Sequence, residues 1–267
     1  MSMPAKMNIA GGVADIVLDH PPVNAFDAAG WENLAEIIRA AGRNESVNVI
    51  LLSASGRGFC AGVDVKELAR DSSLITRVNR GCYGTFAAIH DSVVPVVAAV
   101  HGFCLGGGIG MVGSADIIVA SDDATFGLPE IDRGALGAAS HLLRMFPMQK
   151  VRRMMFTGEP ITAAEAYRLG AVESVVKRDD LMTTARELAR KIAGKSGKAL
   201  RLAKESLDGI ELFDLNRSYR FEQGFTLELY TSRDSQEARD AFVEKRDASF
   251  DKPAKDGKSK GNDRTKG

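Results

Sequence analysis

Runs of apolar residues alternate with mixed segments along the first half of the chain. Apolar runs of strand length, rich in valine and isoleucine, predict buried strands. These strands are expected at about 13–22, 47–56, 94–102 and 116–127. Apolar residues at helical spacing predict a helix within 24–47 and another over about 65–90. Strands that alternate with helices in this way indicate an α/β architecture with crossover connections.

Beyond about residue 140 the pattern becomes helical. Apolar residues recur at helical spacing in "SHLLRMF", "VRRMMFTG", "DLMTTARELARKIAG", "KALRLAKESLDGI" and "YRFEQGFTLELY". Helical halves of this kind often serve self-assembly, so we expect the chain to associate with copies of itself. The last stretch, 251–267, is polar and basic without an apolar anchor, and it is predicted to be disordered.

Composition and charge exclude several classes of protein. The chain has 267 residues, 45% of them hydrophobic, which is enough to bury a large core. Its 35 basic residues balance 35 acidic ones, so we expect no nucleic-acid partner and no membrane surface. No apolar run is long enough to span a membrane, and the beginning lacks a secretory signal. Cys60, Cys82 and Cys104 have no metal-like spacing, which predicts free thiols, no metal site and a cytoplasmic protein.

Three consecutive glycines follow the third predicted strand, in "HGFCLGGGIG" (101–110). The segment from Gly108 to Gly113 matches the G-x-G-x-x-G dinucleotide fingerprint, but the next strand follows too soon for the crossover helix that such sites need. Free backbone amides at the start of a short helix instead suit a substrate oxygen. A second donor would come from the loop "GFCAGVD" (58–64). The spacing alone leaves open that both loops are only tight turns.

Several segments resemble the crotonase superfamily of enoyl-CoA hydratases and isomerases. The resemblance is carried, in order and at family spacing, by "GRGFCAGVDVKEL", "AAVHGFCLGGGIGM", "ADIIVASDDATFGLPEIDRG" and "AFVEKRDASF". It implies an α/β crotonase (ClpP-like) fold, with a spiral of β-β-α turns over 1–195 and a helical trimerisation region over 196–250. It also implies an acyl-CoA substrate, homotrimers or dimers of trimers, and no cofactor beyond the coenzyme A that the substrate carries.

The resemblance assigns residues to the substrate site. The thioester oxygen is expected between the backbone amides of Val63 and Gly107, with Gly106 and Gly108 beside them. Further matches to substrate-binding positions are Asn24, Ala25, Ala61, Val65, Phe242 and Lys245. The first four follow the path of coenzyme A, whereas the last two touch the nucleotide from a neighbouring subunit in some members. For that last pair, a core phenylalanine and a solvated lysine remain the alternative.

Two of the family's three acidic positions are not acidic here. Hydratases of the family use two glutamates, of which the second matches Glu130 and the first falls on Gly110. Other members use an aspartate that falls on Ala138. His141 stands where the family has glycine, and it is either a second acid or base or a structural histidine. We therefore expect Glu130 to be the base, and we expect Gly110 to leave room for a bulky substrate.

One base and an oxyanion hole suit reactions that pass through a thioester enolate. "PPVNA", "GGGIGMVG", "GLPEIDRGALGAASH" and "SYRFEQGFTLEL" resemble the family members that open a steroid-derived ring by hydrolysis. The sequence thus predicts hydrolytic C–C cleavage in a bulky acyl-CoA, and slow hydration of crotonyl-CoA. The main alternative is an enoyl-CoA hydratase or isomerase that works with Glu130 alone. A nicotinamide-dependent oxidoreductase and an RNA-binding protein are alternatives from other classes.

Overall fold

The computed structural model describes residues 3–211 and 214–250; the predicted disorder of 251–267 falls outside them. The strands are β1 (Ala5–Ala10), β2 (Val13–Leu18), β3 (Ala25–Phe26), β4 (Val49–Ala54), β5 (Gly62–Val63), β6 (Val96–Val100), β7 (Phe103–Leu105), β8 (Ile117–Ser121), β9 (Thr125–Gly127), β10 (Ile161–Thr162) and β11 (Ser174–Val176). The helices are α1 (Ala28–Arg43), α2 (Val65–Arg70), α3 (Ile75–His90), α4 (Gly107–Ser114), α5 (Ala139–Met145), α6 (Met148–Thr157), α7 (Ala163–Arg168), α8 (Leu181–Ala193), α9 (Gly197–Ile210), α10 (Leu215–Tyr230) and α11 (Arg233–Glu244). Single 3-10 turns lie at Ser72–Leu74, Pro129–Arg133 and Arg178–Asp180.

The main sheet has the strand order β1-β2-β4-β6-β8-β11. All its neighbouring strands pair in parallel except β1 and β2, which are antiparallel. The sequences of β4 and β6, "VILLSA" and "VVAAV", are almost wholly apolar because both faces of the sheet are covered. Helix α8 packs on one face against residues such as Leu51 and Val97, and α1 and α3 cover the core on the other.

The main-sheet strands β2, β4, β6 and β8 are each followed by a short strand outside the main sheet and then by a helix or helical turn. The short strands β3 and β5 pair in parallel, as do β7 and β9, and a bridge between Cys60 and Cys104 joins the two pairs. Successive β-β-α units therefore stack as a spiral, as the resemblance implied. The stacking brings the ends of β5 and β7, which lead into α2 and α4, side by side.

Two predicted elements are divided in the structure. The strand expected at 116–127 is two strands, β8 and β9, which belong to different sheets because the chain turns at Asp122–Asp123. The helix expected over 65–90 is also interrupted. The Asp71 carboxylate accepts hydrogen bonds from the Ser73 amide and hydroxyl, and this local turn separates α2 from α3.

The last helices fold back onto the core. Helix α10 packs on α3 and α5, and α11 packs on α2 and on the turn Pro129–Arg133. Exposed apolar side chains on α9 and α10 are Leu202, Leu207, Ile210, Phe221, Phe225 and Leu227. Trimerisation through this region stays a prediction. Within the described ranges, no helix is both long and apolar enough to cross a membrane.

Candidate active site

A cavity of about 750 Å³, counting its open mouth, lies between the start of α4 and the C-terminal helices. We call its two sides the glycine wall (Val63, Gly106 and Gly107) and the helical wall (residues of α3, α10 and α11). Most of the lining is apolar, and the residues that line the cavity are Ala61, Val63, Val65, Leu68, Ile75, Val78, Asn79, Cys82, Phe86, Gly106, Gly107, Glu130, Arg133, Ala135, Leu136, Gly137, Ala138, Tyr219, Thr226, Tyr230 and Arg239.

The glycine wall is formed where the two glycine-containing loops meet. A β-carbon on Gly62, whose φ is +90°, would lie 3.0 Å from the Gly107 nitrogen, so the two loops are in direct contact. Gly107 is the first residue of α4, where a helix cannot satisfy its own amide. Val63 follows Gly62 in β5 and lines the same cavity. The loops therefore bring the two predicted amide donors to one place.

The glycines are needed because large groups press against their backbone. A β-carbon on Gly106, which has φ +57°, would lie 2.5 Å from Glu130 Oε1. A β-carbon on Gly107 would lie 2.5 Å from Trp31 Cζ2, and Trp31 is fully buried. Side chains at either position would collide with these groups. The glycine run thus admits a carboxylate and an indole next to the amides.

Glu130 is the only carboxylate among the described residues that line the cavity. It lies in the turn Pro129–Arg133, and its Oε2 is enclosed without a hydrogen-bond partner in the described part of the chain. Burial raises its pKa to about 7, against the opposing effects of its own backbone N–H and the Arg133 charge. A carboxyl with this pKa can both take up and return a proton near neutrality.

Gly110, where the family's first glutamate would stand, is covered by an aromatic ring. A β-carbon at Gly110 would overlap the ring of Phe86. Phe86 is 2% exposed and packs between Trp31 and His141, with ring centroids 5.7 and 4.8 Å away. The expectation that Gly110 leaves room for substrate is therefore wrong. Gly110 makes room for Phe86, whose ring becomes part of the cavity wall.

Comparison with known proteins agrees with this geometry. The family described as enoyl-CoA hydratase/isomerase matches residues 8–253. This chain belongs to the enoyl-CoA hydratase/isomerase family. It is 52% identical to a (7aS)-7a-methyl-1,5-dioxo-2,3,5,6,7,7a-hexahydro-1H-indene-carboxyl-CoA hydrolase of Rhodococcus jostii RHA1, over 87% of this chain and 91% of that protein.

A second relative and a solved structure extend the comparison. The hydrolase of the same name from Mycobacterium tuberculosis H37Rv is 49% identical, over 88% of this chain and 96% of its own length. A crystal structure of an enoyl-CoA hydratase/isomerase from Xanthobacter autotrophicus Py2 superposes with a TM-score of 0.85 at 23% identity, covering 91% and 94% of the two chains. The predicted crotonase fold of this family is therefore confirmed.

The other residues matched to the family's CoA path lie at different distances from the cavity. Ala61 and Val65 line it, next to Val63. Asn24 is buried and has a φ of +52°. Its side-chain amide donates hydrogen bonds to the carbonyls of Ser55 and Gly58, and its side-chain oxygen accepts one from the His20 N–H. These bonds fix the loop behind the glycine wall. Ala25 follows in β3, and Gly108 is buried against Cys60. The structure does not place Asn24, Ala25 or Gly108 among the lining residues.

The C-terminal pair lies outside the cavity of its own chain. Phe242 is 45% exposed, and its ring packs under the Arg133 guanidinium at 4.6 Å. Lys245 ends α11 in a left-handed conformation, with φ +56°. Whether either residue contacts a nucleotide of another subunit stays a prediction.

His141 is enclosed behind the helical wall rather than exposed on it. It is 1% exposed and packs edge-on against Phe86 and Tyr219, both at 4.8 Å. Burial, with the Arg144 and His90 charges, lowers its pKa to about 3, so the ring is neutral at neutral pH. His141 does not line the cavity, and this position favours the structural reading over the catalytic one.

The sequence did not predict the polar residues of the helical wall. Asn79, Tyr230 and Arg239 line the cavity, although helical spacing in this region indicated only core and assembly surfaces. Arg133 also lines it. Polar residues on the core-facing side of a predicted helix would have indicated these lining residues. Which side faces the core, however, is known only once the packing of α10 and α11 is known.

Proposed function

We propose that this chain is an acyl-CoA hydrolase that opens a ring of a bicyclic diketone CoA thioester by adding water across a C–C bond. The observation that carries the proposal is the combination of one carboxylate, Glu130, with the Val63 and Gly107 amides in an otherwise largely apolar cavity. The relatives at 52% and 49% identity are named as hydrolases of a dioxo-hexahydroindene carboxyl-CoA, which is such a compound.

Glu130 takes a proton from water, and the resulting hydroxide attacks the ring ketone. The tetrahedral adduct collapses into a carboxylic acid by breaking the bond to the neighbouring ring carbon. Carbon leaves with the electron pair only if that pair is delocalised, and conjugation carries it to the thioester oxygen. The Val63 and Gly107 amides stabilise the charge on that oxygen. Glu130 returns its proton to carbon, so the product equals the substrate plus one water.

The cavity suits an apolar acyl group. Apolar side chains such as Leu68, Val78 and Phe86 form much of its surface, as is usual for small-molecule sites. The reaction uses backbone amides and one carboxylate, which together supply the base and the charge stabilisation. We therefore also propose that no metal ion or organic cofactor is needed, and expect activity to survive a chelator.

The purified protein is tested with the dioxo-hexahydroindene carboxyl-CoA for which the relatives are named. The expected product is heavier by one water and keeps its thioester, so no free thiol appears. Release of free coenzyme A would instead indicate thioester hydrolysis. Water addition with the ring intact, or hydration of crotonyl-CoA at the rate of a two-glutamate enzyme, would favour a hydratase.

Glu130→Gln tests the base directly. The amide keeps the shape of the side chain but cannot take a proton, so turnover should fall by about 10²-fold or more while thioester binding persists. Glu36→Gln is the matched control, because Glu36 is an exposed residue paired with Arg39 on α1. Normal turnover in Glu130→Gln would show that another group is the base.

A further inference from the structure

The helical wall carries a polar group that the proposed reaction has not yet used. Tyr230, at the end of α10, lines the cavity and is 6% exposed. Its hydroxyl is enclosed and has no hydrogen-bond partner within the described ranges. A buried hydroxyl without a partner is unfavourable, so this group is better satisfied when a ligand supplies an acceptor.

Arg239 lies directly against Tyr230. Its guanidinium carbon is 4.0 Å from the centre of the Tyr230 ring, and the residue is 3% exposed. The guanidinium donates to Ser235 Oγ, to Gln236 Oε1 and to the Tyr230 carbonyl, all neutral acceptors. In the part of the chain that the structure describes, no carboxylate forms an ion pair with it. A buried positive charge without a counter-ion favours negative charge nearby.

A chain of contacts fixes this pair next to the loop that follows Glu130. Ser235 accepts from Arg239 and donates to the carbonyl of Gly134, four residues after Glu130. A β-carbon on Gly134, which has φ +63°, would lie 2.5 Å from Ser235 Cα, so α11 is seated on this loop. Tyr230 and Arg239 are thereby held next to the loop that follows Glu130, and they line the same cavity as the glycine wall.

We propose that Tyr230 donates a hydrogen bond to the ring-ketone oxygen that water attacks, and that Arg239 stabilises the negative charge that forms there. The proposal rests on the proposed function and adds a second oxyanion site, distinct from the thioester site at Val63 and Gly107. Water attack makes the ketone oxygen an alkoxide, and this adduct carries the charge that Arg239 favours; collapse then leaves that oxygen in a carboxylic acid and passes the electron pair to the thioester. Burial raises the pKa of Tyr230, which keeps its hydroxyl protonated as a donor.

Tyr230→Phe removes only the hydroxyl and leaves the packing in place. Because that hydroxyl has no partner in the unliganded protein, the melting temperature should stay the same or rise. Turnover of the bicyclic diketone thioester should fall about 10²-fold, as for loss of one oxyanion donor. Tyr83→Phe, on α3 and outside the cavity lining, is the matched control and should keep wild-type turnover. Turnover within twofold of wild type in Tyr230→Phe would overturn the proposal.

Binding separates this inference from the proposed function. Equilibrium affinity is measured for two CoA thioesters of the same ring system, one with the ketone and one with a methylene in its place. Wild type should prefer the ketone by up to about tenfold, and Tyr230→Phe should lose that preference. If wild type does not open the ring but shows this preference, the proposed function is wrong and the subsite stands. If the preference is missing in wild type or survives in Tyr230→Phe, the subsite is wrong.

The charge-stabilising role of Arg239 is tested in the same assays. Arg239→Lys keeps a charge, whereas Arg239→Met keeps only the apolar stem. We expect Arg239→Met to lower kcat more than it raises KM, with Arg239→Lys recovering part of kcat. Equal losses of kcat in both variants, accompanied by equal losses of melting temperature, would show that Arg239 has a purely structural role and would overturn its part of the proposal.

Discussion

The glycine wall and the helical wall of the cavity are built from different atoms. The glycine wall offers backbone amides, and its glycines admit Glu130 and Trp31 where side chains would collide with them. The helical wall offers side chains from α3, α10 and α11, far apart in sequence and held by contacts such as that between Ser235 and Gly134. Backbone amides persist when side chains are substituted, whereas a wall made of side chains changes with each substitution. We therefore expect the thioester chemistry to depend on the glycine wall and the choice of acyl group to depend on the helical wall.

The largest effect on kcat is expected from adding a side chain to the glycine wall. Gly106→Ala places a β-carbon against Glu130 Oε1 at a φ of +57° that alanine rarely adopts. Both the base and the neighbouring amide would move, so kcat should fall by about 10³-fold, since either loss alone costs 10² or more. Gly209→Ala, in open space on α9, is the control and should leave kcat unchanged. Initial rates of both variants test this prediction, and a loss of kcat below tenfold in Gly106→Ala would contradict it.

The next largest effect concerns the contact between Gly110 of α4 and Phe86 of the helical wall. Gly110→Glu alone should lower the free energy of unfolding by about 3 kcal/mol or more, because the new side chain overlaps a buried ring. Combined with Phe86→Ala, the glutamate gains space and a second carboxylate faces the cavity. The double variant should regain stability and hydrate crotonyl-CoA about 10²-fold faster than wild type. Denaturant titration and a hydration assay test both parts, and equal stability of the single and double variants would refute the overlap.

The raised pKa of Glu130 predicts two opposite pH dependences. As the proposed base, Glu130 works in its carboxylate form, so kcat should rise with pH around a midpoint near 7. The folded protein holds this proton more tightly than the unfolded chain, so its stabilising contribution is present below about pH 4.5 and is lost as pH rises through about 7. The melting temperature of wild type relative to Glu130→Gln should therefore fall between about pH 5 and pH 8. A difference that stays constant would show that the pKa is not raised.

The smallest effect is expected at His141. Its ring is buried, neutral and outside the cavity lining, so His141→Asn should change kcat by less than about threefold, with some loss of melting temperature. Rates at saturating substrate, measured on folded protein, provide the check. A loss of 10² without loss of stability would make His141 an acid or base after all.

Sequence patterns were informative where chemistry depends on local backbone. The glycines at 106–108 and the loop around Val63 follow buried strands, and parallel strands end at the same edge of a sheet, so their meeting could be expected. Glu130 was found through the family resemblance. The division of 116–127 into two strands was missed because apolar content is the same on both sides of the turn, and only pairing with different partners separates them.

The helical wall could not be read from the sequence for a different reason. Tyr230 and Arg239 lie nine residues apart across a helix boundary, and their distance from Glu130 depends on how α11 docks on the turn Pro129–Arg133. Phe86 reaches Gly110 only because α3 and α4 pack together. Long-range packing of this kind leaves no local periodicity, so the space beside Gly110 was wrongly expected to be open.

The contact between Gly110 and Phe86 also bears on how this enzyme can evolve. A glutamate placed at position 110 meets an aromatic ring, and a small residue placed first at position 86 leaves a void in the core. Each single substitution towards a second carboxylate is therefore expected to destabilise the protein, although the pair is compatible with the fold. The two positions are thus expected to be epistatic, so that a second carboxylate is accessible only through a coupled change at both of them.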